Sequence, residues 1–387
     1  GNTGRGHRSL PLAFGGHCIV QMKFLFTAGI AFWLAKREVS GNEEPSCVLL
    51  EDDASIPRVD GSALAVSNGA NTTVAADTIT REATRLLQTY GVVVIENLVQ
   101  PVVMNQLNTD LAQQQGAFFG SKNSFAGSQT TRNAAKCLGE SKVAQDLAIH
   151  SVTVGVVNNI LKPYTKRVVL GTNSAITVVG PTSPEDPPAP PQTIHRDDSM
   201  WAGDWMTTLA CTNPNLTEEK DRFPQLSVSV MWAASDFTAD NGATRAALYS
   251  HKQCPRTSHP PPDTNYAQAV MLQGSVMLWV GGTFHGAAAA KPYEAQRSPR
   301  NGLIFIYNLG MLRSEHNFFN AIPHDVIMSF DEKLLDLLGY YGENAVEHPW
   351  YIGPVYTQPY LGGPEGATAG GEGVQFAVEP DTLWEPE

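Results

Sequence analysis

The sequence holds little of what a metal–thiolate, nucleic-acid-binding or membrane-spanning protein needs. Only five cysteines occur among 387 residues, at Cys18, Cys47, Cys137, Cys211 and Cys254, and no two share a CxxC spacing. That dispersal excludes a thiolate zinc site and speaks against a disulfide framework, so the expected setting is cytoplasmic or another reducing compartment. Charge is scarce too, at 17% of residues, and unbalanced: 26 basic against 38 acidic side chains leave −12 at neutral pH. With no basic stripe interleaved with aromatics, neither nucleic acid nor an anionic membrane surface is an expected partner. No apolar run is long enough for a stable membrane span. "MKFLFTAGIAFWLAKR" carries an apolar stretch of twelve residues, Phe24 to Ala35, short of the roughly 20 that a helix needs to cross a bilayer. The segment from Met22 to Ala35 reads as a targeting core or as a buried or frayed helix. A glycine-rich phosphate loop behind a strand is missing, and so is any internal repeat, which leaves a nucleotide-binding fold with little support.

What remains is an ordinary globular composition, 42% hydrophobic, on a chain long enough for one elaborated domain. Residues 1–75 read as an irregular N-terminal extension with Gly, Asn and Ser scattered through it. A helix is expected from Asp77 or Thr78, with Ile79, Ala83, Leu86 and Leu87 on one face and Gly91 behind its end. "VVVIENLV" reads as a strand, and Pro101 starts a second helix with Val103, Met104, Leu107 and Leu111 aligned. From about Arg167 the pattern turns to strands: "RVVLGTNSAITVVG", "QLSVSVMWAASDF", "GSVMLWVGG" and "NGLIFIYNLG" are β-rich and bounded by turn residues. In "LSVSVMW" the period of two puts Val228, Val230 and Trp232 on one face, with Ser227, Ser229 and Met231 on the other. Small polar groups on one face suit the lining of a cavity. Irregularly spaced strands with long loops predict a β-sandwich or jelly-roll barrel rather than a parallel α/β sheet. Residues 331–387 read as a C-terminal helix followed by an acidic, Gly-rich tail.

Chemistry centres on "TIHRDDSMW", Thr193 to Trp201. In a strand, His195 and Asp197 would point to the same side and could share one ion. Two histidines and a carboxylate on one face of iron leave three positions open for substrates and oxygen, so a second, distant histidine is required. The candidates are His251, His259, His285, His316, His324 and His348. His285 is the best placed, because it follows a hydrophobic strand and two glycines that permit close backbone approach. A 2-oxoacid co-substrate would also need a cation for its far carboxylate, and "QRSPRNGLIFIYNLG" supplies Arg297 and Arg300 just before a strand. Arg300, at the strand's start, is preferred.

The order Gln-x-x-His-x-Asp-Asp…Trp, then "DNGATR…SH", "GSVMLWVGGTFHG" and "RNGLIFIYNLGMLR" resembles the phytanoyl-CoA dioxygenase family. "YGVVVIENLVQPVVMNQLNTDL" resembles that family's opening strand and helix, and the likeness runs from about Asp77 to Phe319. It implies a mainly β fold with flanking helices around a double-stranded β-helix (jelly-roll, cupin-like) core over residues 76–330. It further implies an oxidoreductase using Fe(II), 2-oxoglutarate and O2 on a small organic or lipid-like substrate, with succinate and CO2 as co-products. Carried over by position, His195, Asp197 and His285 match the iron ligands and Arg300 the arginine that holds the distal carboxylate. Gln192 and Thr244 match positions near the co-substrate, and Trp201 an aromatic at the mouth of the site or in the core. Related halogenases replace the carboxylate ligand with a small residue, so Asp197 points to oxidation. "LYSH" stands where the family usually has "PGSH", and "GAAAA" follows the distal histidine, so pocket shape and the choice between Arg297 and Arg300 stay open. A non-catalytic barrel used for binding, or a cupin-type metal enzyme without 2-oxoglutarate, are the alternatives.

Overall fold

Gly91 ends the helix Asn71–Tyr90 and turns the chain into its first central strand, a turn that needs its left-handed backbone (φ +81°). The computed structural model describes residues 22–27, 30–35, 55–66, 71–115, 130–134, 136–181, 183–201, 203–292 and 299–340. The chain divides into two compact units, Gly1–Asp53 and Ala54–Glu387. In the first, β1 (Met22–Thr27) and β2 (Ile30–Ala35) form an antiparallel hairpin. The helix expected there is thus replaced by two six-residue strands, consistent with the β-branched and aromatic side chains of "FLFT" and "IAFW".

The second unit opens with β3 (Arg58–Asp60) and α1 (Ser62–Val66), followed by α2 (Asn71–Tyr90). Regular structure therefore reaches well before Asp77: β3 adds to the sheet edge by parallel pairing with β4 (Val92–Glu96). Then come α3 (Pro101–Gln115), β5 (Thr130–Ala134), α4 (Cys137–Glu140), α5 (Lys142–Ala148), α6 (Ser151–Leu161) and β6 (Val168–Val178). After α7 (Gly203–Cys211) and α8 (Glu219–Arg222) the strands resume as β7 (Ser227–Ala233), β8 (Thr244–Ala246), β9 (Ala267–Gln268), β10 (Val276–Val280), β11 (His285–Ala287) and β12 (Arg300–Leu309). Short helices between Phe318 and Leu337 follow.

Two sheets make the core: a seven-stranded one in the order β3-β4-β10-β7-β12-β6-β5, and a three-stranded one in the order β11-β8-β9. Most pairings join strands that are not consecutive, the exceptions being β3·β4, β5·β6 and β8·β9, and all but β3·β4 are antiparallel. This is a jelly-roll core with flanking helices. The main sheet's outer face carries Val228, Val230, Trp232, Leu278, Leu303 and Phe305, packed with Ile79, Ala83 and Leu87 of α2 and Val152 and Val156 of α6. Its inner face carries Met231, Met277, Trp279, Ile304 and Ile306, packed with Ala246 and Ala267 of the small sheet. Each fully buried aliphatic side chain there contributes about 1.5–3 kcal/mol.

Candidate active site

Two chain segments meet beside the inner face, one carrying His195 and Asp197 and the other His285. His195 is joined to His285, the first residue of β11, by an isolated antiparallel bridge with both backbone hydrogen bonds made (3.1 and 3.0 Å). Directly opposite residues in such a pair lie close, and the two imidazole centroids are 4.4 Å apart. The local conformation differs from the expected strand, because a 3₁₀ turn starts at Asp197 and runs to Trp201. The turn, rather than strand alternation, swings the carboxylate back toward the imidazoles. Asp197 Oδ1 lies 3.6 Å from His195 Nε2 and 3.5 Å from His285 Nε2. One ligand atom from each of the three residues falls within 4.8 Å of the others.

The rest of each side chain is already committed. His195 Nδ1 lies 2.9 Å from the Thr193 carbonyl and His285 Nδ1 lies 3.0 Å from that of Thr283. Carbonyls only accept, so each Nδ1 carries a proton, which leaves Nε2 as the ring atom available to a cation. Ser229 Oγ (2.7 Å) and Trp279 Nε1 (3.0 Å) both donate to Asp197 Oδ2, leaving Oδ1 to face the imidazoles. The indole also packs on His285, with centroids 4.7 Å apart. Burial pushes the His285 imidazole down to about 4 although Asp197 pulls the other way, so it is neutral at physiological pH. For Asp197 burial acts to raise the carboxyl. The neighbouring His285 and His195, with the Ser229 hydroxyl, overcome it and hold the group well below the usual carboxylate range. Neutral nitrogens and an ionised oxygen are the protonation states that a divalent cation requires.

Arg300 begins β12 and is 2% exposed. Its Nη1 donates to the Gly242 carbonyl (2.8 Å) and to Thr244 Oγ1 (3.0 Å), and its guanidinium lies 4.9 Å from the centre of the Phe237 ring. Its Nε has no acceptor, and no carboxylate among the described residues pairs with it. Burial pushes it down to about 10, still charged at neutral pH. Leaving a guanidinium buried without a counter-ion is costly, and a carboxylate-bearing ligand would remove that cost.

The structure thus brings His195, Asp197 and His285 together, and separately places Thr244 on Arg300. Gln192 lies beside the strand after His285, its Oε1 accepting from Ala287 N (3.1 Å). Trp201 packs, half-buried, against the main core. Arg297 and His348 lie outside the described residues. His251 is buried elsewhere, its Nε2 donating to the Gln88 carbonyl. Sequence reading found Ser229 by its face but missed Trp279. Alternation from Met277 in "VMLWV" puts that indole on the inner face, and this was the available signal. One expectation is overturned: Cys211 and Cys254 form a disulfide. Forty-three residues apart, they meet only because α7 packs beside the segment after β8, and the ground for inferring a reducing compartment disappears. No helix among the described residues is long and apolar enough to cross a membrane.

Comparison with known proteins gives this geometry its place. The model of the phytanoyl-CoA dioxygenase family matches residues 87–292, and the chain belongs to that family. It is a dioxygenase by membership, and its curated relatives carry that name. The dioxygenase trt7 of Aspergillus terreus is 24% identical over 229 residues, 58% of this chain and 73% of that protein. The dioxygenase swnH1 of Arthroderma benhamiae is 34% identical over 155 residues, 39% of this chain and 44% of that one, so the match to it spans less than half of that relative. Among solved structures, HygX from Streptomyces hygroscopicus, with nickel and 2-oxoglutarate bound, superposes with a TM-score of 0.44. It shares 14% identity, over 61% of this chain and 89% of that one.

Proposed function

We propose that this dioxygenase holds iron(II) on His195, Asp197 and His285, takes 2-oxoglutarate as co-substrate, and oxidises a small organic molecule. The observation that carries the reading is the pairing of two features in one inner face. One is a trio of ligand atoms within 4.8 Å, and the other is a buried arginine that pairs with no carboxylate among the described residues. The residues fit the metal by chemistry: two neutral imidazole nitrogens and one carboxylate oxygen form the facial set typical of non-heme iron(II). When bound, iron(II) with 2-oxoglutarate and O2 supplies a two-electron oxidation of a substrate C–H bond and yields succinate and CO2.

The chain's own residues orient and insulate. The Thr193 and Thr283 carbonyls fix the tautomer and rotation of the two imidazoles. Ser229 and Trp279 hold Asp197 so that one oxygen faces the metal position, the kind of outer support that metal sites depend on. Arg300, set by Thr244 and the Gly242 carbonyl, grips the distal carboxylate of 2-oxoglutarate, and its fork can bind both oxygens. Gln192, bonded to the Ala287 backbone, is assigned to the co-substrate's surroundings, whereas Trp201, packed against the main core, is given the structural role. Asp197 occupies a metal position with a carboxylate, which favours hydroxylation or a related oxidation over halogenation. Succinate release under air from 2-oxoglutarate and iron(II), measured with wild type and with Arg300→Leu across a panel of lipids and natural products, tests the proposal. Substrate-stimulated succinate from wild type alone is the expected result. Equal rates in both proteins would refute the assigned anchor.

A further inference from the structure

The neighbours of all three candidate ligands are held by one short segment. Arg196, between His195 and Asp197, donates from Nη2 to the Ser250 carbonyl (3.1 Å) and to Gln253 Oε1 (2.6 Å), and from Nη1 to the Thr257 carbonyl (3.2 Å). Asp198, directly after the carboxylate ligand, is ion-paired with Arg256, and both side chains are fully buried. Phe284, directly before His285, donates its backbone N–H to Ser250 Oγ (2.9 Å). Its ring lies under the Arg196 guanidinium at 3.8 Å.

The segment is itself anchored on several sides. Arg256 Nη2 donates to the His251 carbonyl (3.1 Å), and Arg256 N donates to Thr208 Oγ1 of α7 (2.9 Å). Gly282 lets the arginine in, since a Cβ there would lie 2.1 Å from Arg256 Nη2. The outermost tie is covalent: exposed Cys254 is bonded to buried Cys211, the last residue of α7. Each of these side chains acts through a residue adjacent to a ligand.

We propose that Ser250–Thr257, stapled to α7 by the Cys211–Cys254 disulfide, is the positioning element for His195, Asp197 and His285, and that reducing this disulfide weakens metal binding. The inference rests on reading the trio as a metal site. Reduction by an external dithiol would deliver two electrons and two protons, giving the thiols of Cys211 and Cys254 while the dithiol leaves as its own disulfide. Attack at the exposed Cys254 end starts it. The segment would then keep its ion pair and hydrogen bonds but lose the link that limits how far it can move.

Co(II) tests this without turnover, because its d–d absorption reports both occupancy and ligand geometry. Wild type, Arg256→Lys, Arg256→Met, and the double variant Cys211→Ser/Cys254→Ser would be titrated as full-length proteins, each checked for native circular dichroism without metal. Loss of groups that orient ligands weakens metal binding by about 10–100-fold. The expected order follows: Arg256→Met weakest and with a shifted band, Arg256→Lys between it and wild type, and the cysteine double variant weakened about tenfold. Wild-type affinity and spectrum in all folded variants would overturn the positioning role. So would weakening confined to variants whose circular dichroism shows unfolding. A wild type that binds no Co(II) would sink the metal reading itself, and this inference with it.

Discussion

The two faces of the main sheet are built from the same strands and do opposite things. On the outer face, Val228, Val230, Trp232, Leu278 and Phe305 belong to one apolar core shared with the flanking helices. On the inner face the alternate residues include Ser227 and Ser229 of β7, Trp279 of β10, and Arg300 and Asn308 of β12, all buried. Burial favours the first set and penalises the second unless each polar group finds a partner. Ser229 and Trp279 find Asp197; among the described residues Arg300 finds only neutral oxygens. The outer face therefore carries stability, whereas the inner face holds unspent polar capacity for a metal and an anion.

The sharpest break between the faces is expected from Asp197→Ala. Removing the sole carboxylate of the trio should reduce iron content after anaerobic loading to background and abolish substrate oxidation. The melting temperature of the metal-free protein should also fall, with a loss of about 1–3 kcal/mol of stability, because Ser229 Oγ and Trp279 Nε1 lose their shared buried acceptor. Arg300→Leu comes next, with 2-oxoglutarate binding weakened by about 2–5 kcal/mol, the cost of removing one partner of a buried charge pair. Isothermal titration of the metal-loaded protein reads that loss. The metal-free protein should be no less stable, since an unpaired buried cation has been removed; a large drop in its melting temperature would mean that Arg300 serves the fold. On the outer face, Leu278→Ala should cost about 2–5 kcal/mol of stability, read by urea unfolding. The folded fraction should bind metal as wild type does.

Two smaller effects sharpen the contrast. His150, packed edge-on against Trp232 of the outer face (5.4 Å), is pushed down to about 4 by burial. The unfolded chain protonates it near 6.5, so the unfolded state takes the proton first as pH falls. Stability is then intact above pH 6.5 and declines toward pH 4, by about 2 kcal/mol between pH 6.5 and 5 for this one group. His150→Gln should flatten that part of the profile. Least of all, Ser229→Ala removes one of two donors to Asp197 Oδ2 and should weaken iron binding by about tenfold. No change in affinity would leave Trp279 as the orienting group.

Much of this fold was legible in the chain because strands with one face on a core repeat every two residues and helices every three to four. The burial of Ile79, Ala83, Leu86 and Leu87, and the helix starting at Pro101, follow from that periodicity and from turn chemistry. So does the split of "LSVSVMW" between two faces. The candidate site was partly legible for a different reason: His195, Asp197, His285 and Arg300 stand in an order that resembles a family. The hairpin at Met22–Ala35 was not legible, since a short apolar run suits strand and helix alike. Arg256 had no local signal either, because its partner Asp198 lies 58 residues away.

By itself the sequence determined which residues alternate, where the chain turns, and which chemistry-bearing side chains it owns; these are local properties, set by backbone geometry and side-chain type. Only the tertiary structure decided that a bridge and a 3₁₀ turn, rather than a strand, bring Asp197 to the two histidines. It alone paired Cys211 with Cys254 and buried Arg300 with no carboxylate partner among the described residues. The physical reason is sequence separation: contacts between residues tens of positions apart depend on how the sheets and helices pack, and no local pattern encodes that packing.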